Sequence, residues 1–246
     1  MSPLRGWLAP LAWGALLLAA VFGMAELEPL LRQLQPGSGT LIYSRTSFAQ
    51  LVVNHLLIVG AASLIAVGLG LAAGILVTRP WGRDFLPLVS QVAAIGQTFP
   101  PVAVLALAVP LLGFGSLPTL FALVLYGVLP VLRNTLAGLD GLSPGVLEAA
   151  RGMGMSARQV VLQVELPLAA PVILAGIRTS VTVAIATAAI GSTIGASTLG
   201  DPVIAGLVNG NSAYVLQGAL LIGLLALCVD SLFEALQQGI AAHQGR

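Results

Sequence analysis

The sequence predicts an all-α integral membrane protein with about six transmembrane helices, and two observations carry that reading. Of 246 residues, 57% are hydrophobic and only 8% charged, with a mean hydropathy of +1.00, whereas an ordinary soluble domain carries roughly 25% charged residues. In addition, apolar runs long enough to cross about 30 Å of hydrocarbon, roughly 20 residues each, occur six times between charges, prolines and glycines. The same composition excludes other classes. A net charge of +1 leaves no basic surface for nucleic acid. All ten cations are arginines, and without lysine the chain cannot complete a P-loop, whose lysine reaches the nucleotide phosphates. Cys228 is the single cysteine and has no partner for an internal disulfide.

Taken in order, the first span is expected at 7–25, ended by Glu26 and Glu28. Its apolar stretch is long and no convincing small-x-small cleavage site follows, so it reads as a retained anchor. The second is expected at 51–78, before Arg79-Pro80. The third, 85–112, contains Pro87, Pro100, Pro101 and Pro110, and the fourth, 117–132, follows the Gly-Phe-Gly-Ser turn at 113–116. The fifth is expected at 172–199 and the sixth at 213–232, capped by Asp230 and Glu234. This divides the chain into an anchor with an outer loop (1–48), a transmembrane domain (49–238) with a connecting loop at 140–167, and a tail (239–246). Short cytoplasmic loops are enriched in Lys and Arg. With the amino terminus inside, Arg5, Arg79, Arg83, Arg133, Arg151, Arg158 and Arg246 are cytoplasmic and only Arg32 and Arg45 lie outside, which places both termini in the cytoplasm.

The 140–167 segment is then the largest cytoplasmic connection, and it carries two helix-start signals. Ser143-Pro144 places a capping residue before a proline at the first helical position, with Gly152 and Gly154 available to end the helix. Ser156 with Gln159 is a capping box. It opens a second helix whose Ala157, Val160, Val161 and Val164 form one apolar stripe, with Arg158, Gln159, Gln163 and Glu165 opposite, until Pro167 turns the path into the fifth span. An interfacial pair of helices lying on the bilayer fits this pattern. So does docking into a protein groove, which the small residues Ala149, Ala150, Gly152 and Gly154 favour by letting another backbone come close.

Glu148-Ala149-Ala150, then Gly154, then Val164-Glu165-Leu166-Pro167 resembles the EAA loop of permease subunits of ATP-binding-cassette importers, with valine where that family usually has isoleucine. The resemblance implies the type I importer permease fold. It further implies that Glu148, Ala149, Ala150 and Gly154 contact a cytoplasmic ATPase subunit, while Leu166 and Pro167 return the chain to the membrane. Catalysis is then absent from this chain, with ATP and Mg bound by the partner. The implied partners are two ATPase subunits, a second permease chain, identical or homologous, and an extracytoplasmic binding protein, in a bacterial cytoplasmic membrane.

The flanks, Gln97-Thr98-Phe99-Pro100, Leu132-Arg133-Asn134-Thr135, Glu148 to Met155 and Ala175-Gly176-Ile177-Arg178-Thr179, are similar to the glycine betaine, choline and carnitine branch. Where that branch commonly reads Gly-Ala-Gly-Gly-Leu-Gly, this chain has Gly195-Ala196-Ser197-Thr198-Leu199-Gly200. Another small solute, such as an amino acid or a sulfonate, stays open. An ion-coupled secondary transporter is the rival outside the family, and it calls for mid-membrane acids and an inverted repeat, neither of which is visible.

Other residues fit less specific roles. Gly141 to Gly145 matches a nucleophile-elbow pattern, but Pro144 makes Ser143 a helix cap, and His55 and His243 lie far away. His55 with Asn54 fits a proton relay, but it lies close to the outer end of its span, where a water-exposed or helix-contact histidine is expected. Gln97 and Thr98, with Gln91, precede Pro100-Pro101, which breaks the backbone ladder, so they line a solute path or serve a kink. Thr187 belongs to a hydroxyl-rich fifth span in which Gly191 and Gly195 have small-xxx-small spacing. Arg178 snorkels or pairs with a neighbouring helix. No aromatic cage for a quaternary ammonium is evident, which shifts selectivity to a separate binding protein docking on the outer 201–212 segment, with Asp201, Asn209 and Asn211.

Overall fold

The computed structural model describes residues 5–36 and 39–244. Arg246 and the end of the expected tail lie outside them, and the rest of that tail continues the last helix. Among the described residues every regular element is helical, and five helices are long and apolar enough to cross a membrane, or six if a bent pair counts as one span.

Helix α1 (Arg5–Gly23) does not end at the acidic pair. A 3-10 turn (Met24–Leu27) leads into a short α2 (Glu28–Leu34), so the apolar helical stretch spans Gly6–Leu34. The carboxylate of Glu28 sits in the first turn of α2, where it suits the positive end of the helix dipole, and it pairs with Arg32 at 2.5 Å. Acidic residues here start a helix rather than break one. Helix α3 (Phe48–Val77) is capped by Ser47, whose hydroxyl accepts the Gln50 amide.

The proline-rich stretch forms α4 (Leu86–Thr98) and α5 (Pro101–Leu112), bent by 98°. Pro100 and Pro101 lack amide hydrogens, and the residue before a proline is pushed to extended backbone; Phe99 has φ −81° and ψ 140° accordingly. Gly113 and Gly115, with φ of 77° and 103°, make the turn into α6 (Ser116–Asp140). The 140–166 connection holds α7 (Pro144–Gly152) and α8 (Ala157–Gln159). A π-helical segment (Val160–Glu165) then runs without interruption into α9 (Leu166–Ala188) and a terminal 3-10 turn (Ala189–Ile194). Pro167 therefore lies inside a continuous helix and does not turn the chain. The fifth span thus begins earlier and ends sooner than its hydropathy suggests. The short α10 (Gly200–Asn209) precedes α11 (Ser212–Gln244), which outlasts the expected sixth span by three turns.

Glycines set the packing of the central helices. A Cβ on Gly70 or Gly74 of α3 would lie 2.7 Å from Val131 or 2.6 Å from Thr135 of α6, and one on Gly176 of α9 would lie 2.5 Å from Asn134. Such backbone approach is how helices associate in lipid, where apolar side chains gain little by leaving the solvent. Gly191 likewise abuts Thr119, whereas its sequence mate Gly195 ends the α9 turn at φ 85° with open space around it. Helix α1 packs along α11, with Cys228 of α11 against the Pro10 carbonyl. Both described ends of the chain therefore lie at the end of the bundle that carries the 140–166 connection.

Candidate functional site

The connecting loop is built from two differently held pieces. Ser143 has extended backbone and Pro144 follows it, but the Ser143 hydroxyl makes no capping bond. Ser156 does cap: its hydroxyl accepts the Gln159 amide at 3.4 Å, and Gln159 Oε1 accepts the Ser156 amide at 2.8 Å. Between them Gly154 adopts φ 81°, a left-handed conformation that glycine takes without penalty. On α7, Glu148 and Ala149 are exposed, with Val146, Arg151 and Gly152, while Ala150 turns inward at 2% exposure. Met153 projects at 76% exposure just before Gly154. The α7 end of the loop therefore presents small residues flanked by the exposed apolar side chains of Val146 and Met153. Leu166 is half-buried and Pro167 exposed at the start of α9.

Glu165 is the residue the helical wheel misplaces. Expected on the polar side, it is buried. Its two carboxylate oxygens accept Arg79 Nη1 at 3.2 Å and Nη2 at 2.6 Å. Arg79 also donates through Nε to the Ile75 carbonyl of α3 at 3.1 Å.

At the broken span, Gln97 donates to the Tyr126 carbonyl at 2.8 Å, and the Tyr126 hydroxyl donates to the carbonyl of Phe99, which lies in the extended link between α4 and α5. Gln97 and Thr98 are otherwise exposed, and the Thr98 hydroxyl bonds back to Ile95. Thr187 is half-buried near the far end of α9. A groove of about 520 Å³ between α3, α4 and α6 is lined only by apolar residues, among them Leu69, Val92, Phe121 and Leu125. None of the three candidate path residues lines it.

At the opposite end, Asp201 accepts from Ser192 at 2.5 Å and from Ser197 at 3.4 Å. The Thr198 hydroxyl accepts the Gly200 amide and donates to the Ala188 carbonyl. Gly200 itself is required, because a Cβ there would collide with the Ala189 carbonyl. Asn209 is exposed beside Leu207 and Val208. Asn211 is buried, donating to the Thr40 carbonyl at 2.9 Å and accepting the Tyr214 amide.

The segment before α3 is strapped down here by side chains the sequence does not mark. Gln217 accepts the Tyr43 amide and donates to the Leu41 carbonyl, and Gln35 bonds both Gly210 and Ala213. Tyr43 packs edge-on against Tyr214 at 5.6 Å and tilted against Phe48 at 6.3 Å. Burial, reinforced by Asp201, pushes the Tyr43 phenol up. These rings fill one another's faces and do not form an open cage.

A bundle with five or six membrane-spanning helices and a short, exposed small-residue helix at one end fits the membrane subunit of a transporter. A profile of the family described as binding-protein-dependent transport system inner membrane component matches residues 65–242. The chain belongs to that family, the permeases of ATP-binding-cassette importers. It is a multi-pass, non-catalytic subunit of the inner membrane.

Over 207 residues it is 37% identical to the osmoprotectant import permease protein OsmY of Salmonella typhimurium, covering 84% of this chain and 88% of that protein. It is 38% identical to the choline transport system permease protein OpuBB of Bacillus subtilis, covering 80% and 87%. With the carnitine transport permease protein OpuCB of Listeria monocytogenes it shares 41% identity, covering 72% and 80%. In fold it matches a chain of the MetNI methionine ABC transporter in inward-facing conformations, with a TM-score of 0.70 at 20% identity over 78% of this chain and 95% of that one. A chain of an amino acid ABC transporter also matches, with a TM-score of 0.65 at 19% identity over 89% and 97%. These two confirm the type I permease fold expected from the sequence.

Proposed function

We propose that this permease moves a small osmoprotectant, glycine betaine, choline or a related quaternary amine, into the cytoplasm. The observation that carries the reading is the 37–41% identity, along 72–84% of the chain, to proteins named for osmoprotectants, choline and carnitine. Two ATPase subunits, which bind ATP and Mg, dock on the 140–167 loop through Glu148, Ala149 and Gly154; Ala150, expected in that contact, is buried and backs the docking face from inside, and Leu166 and Pro167 return the chain to the membrane. A second permease chain completes the path. Two relatives from Bacillus subtilis are both named as choline transport system permease proteins, which supports a homologous rather than identical partner. Both termini are cytoplasmic, in line with the arginine distribution.

A loaded binding protein docks at the opposite end. Asn209 offers its side chain to it, and Asp201 and Asn211 hold the surface in shape. Gln97, Thr98 and Thr187 line the way through. Closure of the ATPases on ATP draws the coupling helices together and opens the path outward, and hydrolysis resets it.

The test is purification from detergent-solubilised membranes, with the accompanying chains identified and ATPase activity measured with binding protein and candidate betaines. Co-purification of a P-loop ATPase stimulated by loaded binding protein is the expected result. A chain that purifies alone and transports in vesicles on an ion gradient overturns the reading.

A further inference from the structure

We infer that the Arg79–Glu165 ion pair is the strut that passes movement of the 140–165 loop across to α3, so that both are positioning residues for coupling. The inference rests on reading α7 as the ATPase-docking helix.

Its geometry suits a rigid joint. The guanidinium and carboxylate meet in a two-toothed contact, at 2.6 and 3.2 Å, the arrangement that fixes direction as well as distance. The side chain of Glu165 is only 7% exposed. Arg79 is held in turn by α3, donating to the Ile75 carbonyl at 3.1 Å and to the Thr78 hydroxyl at 3.1 Å. Its charge sits at the carboxyl end of that helix, where a cation is favoured.

At the other side of the joint, Glu165 closes the π-helical segment that follows the capping box. π-turns are uncommon and gather at functional sites. A buried ion pair adds little net stability over an apolar replacement, so cohesion alone is a weak account of this one. Within about two and a half turns of Arg79, Gly74 and Gly70 press against Thr135 and Val131 of α6, so displacement of the α3 end is passed directly to α6.

The test uses the complete importer, with its partner permease, ATPase and binding protein, in proteoliposomes supplied with radiolabelled choline or glycine betaine. Arg79→Gln and Glu165→Gln are expected to cut uptake per ATP hydrolysed by about tenfold or more, within the range of measured allosteric couplings. Basal ATPase activity should stay near the wild-type rate. The exchanged double variant Arg79→Glu/Glu165→Arg should recover a substantial part of the lost uptake, and Arg79→Lys, which keeps the charge but loses the fork, should fall between. Unchanged uptake per ATP in Glu165→Gln overturns the strut. So does an assembled double variant no better than the worse single, and so does failure of the singles and the exchange alike to assemble, which would assign the pair to folding alone. Gly154→Val separates the two levels of the argument. Loss of uptake there with normal uptake in Glu165→Gln removes the strut but leaves the coupling loop, whereas normal uptake in both removes the coupling reading itself.

Discussion

The ring of His55, fully buried on α3, donates from Nε2 to the Ile185 carbonyl of α9 at 3.0 Å while its Nδ1 accepts the Leu199 amide at 3.3 Å. The second bond requires a bare Nδ1, so the proton resides on Nε2. Ile185 belongs to the last turn of α9, which runs on into a 3-10 turn, and Leu199 stands just before α10. One side chain of α3 therefore ties the end of α9 to the start of α10. This settles the alternatives for His55 in favour of a helix contact.

His55→Leu leaves the buried Leu199 amide without its acceptor and removes the bond to the Ile185 carbonyl, which together cost roughly 2–4 kcal/mol. The thermal midpoint of the purified protein in detergent should fall by about 6–12 °C. His55→Gln, whose amide both donates and accepts, should lose clearly less. Equal melting of the two variants would show that the hydrogen bonds do not hold these helices.

Glycines along α3 divide into two kinds. A Cβ on Gly70 or Gly74 would stand 2.6–2.7 Å from α6, while one on Gly60 or Gly68 meets nothing within 4 Å. Gly74→Ala should destabilise by about 1–3 kcal/mol through overpacking. Gly68→Ala should be neutral or stabilising by up to about 1 kcal/mol, because alanine favours the helix. Size-exclusion profiles after graded heating report the difference, and a similar loss in both would contradict the close approach of α3 to α6.

Much of this architecture is legible in the residues, and the parts that are not share physical causes. Hydropathy marks the spans, and Pro100-Pro101 marks the break between α4 and α5. The EAA pattern marks the exposed α7. Glu165 escapes because a wheel drawn at 3.6 residues per turn misassigns a face where the backbone takes the wider π-turn. Helix α10 escapes because it is short, ten residues between Gly200 and Asn209, and is tied in by a contact distant in sequence, His55 on the Leu199 amide. The strap at Thr40–Tyr43 carries no periodic signal at all, since its bonds run to Asn211 and Gln217, more than 170 residues away.

Arg178 illustrates a choice the sequence leaves open. It does not simply snorkel. Its Nε and Nη2 each lie 2.6 Å from one oxygen of Asp230 on α11, with Gln237 and Glu234 farther along. Both side chains keep about a third of their surface, at 28% and 35%, so the pair should contribute about 1–2 kcal/mol, between exposed and buried pairs. Asp230→Asn should lower the melting midpoint by about 2–6 °C. The Arg178→Asp/Asp230→Arg exchange should restore more than half of the loss in Arg178→Asp. An exchange as unstable as the single variant would mean that the contact is not specific.

The two serines that open the loop helices look alike in sequence and differ in what they hold. Ser156 and Gln159 satisfy each other's backbone amides, whereas the Ser143 hydroxyl accepts nothing and leaves the start of α7 to Pro144. Replacing a working cap with alanine costs about 1 kcal/mol, while replacing an idle hydroxyl costs little. Ser156→Ala should therefore speed amide exchange of residues 157–165 about fivefold, the opening change that such a loss implies. Ser143→Ala should leave exchange in α7 close to wild type. The π-helical segment sits directly on this cap, so loosening it should also weaken the seat of Glu165 against Arg79 and lower uptake per ATP in the same variant. Fast exchange without a change in uptake would separate the cap from the joint, and equal exchange in the two serine variants would show that the reciprocal bonds do not order the loop.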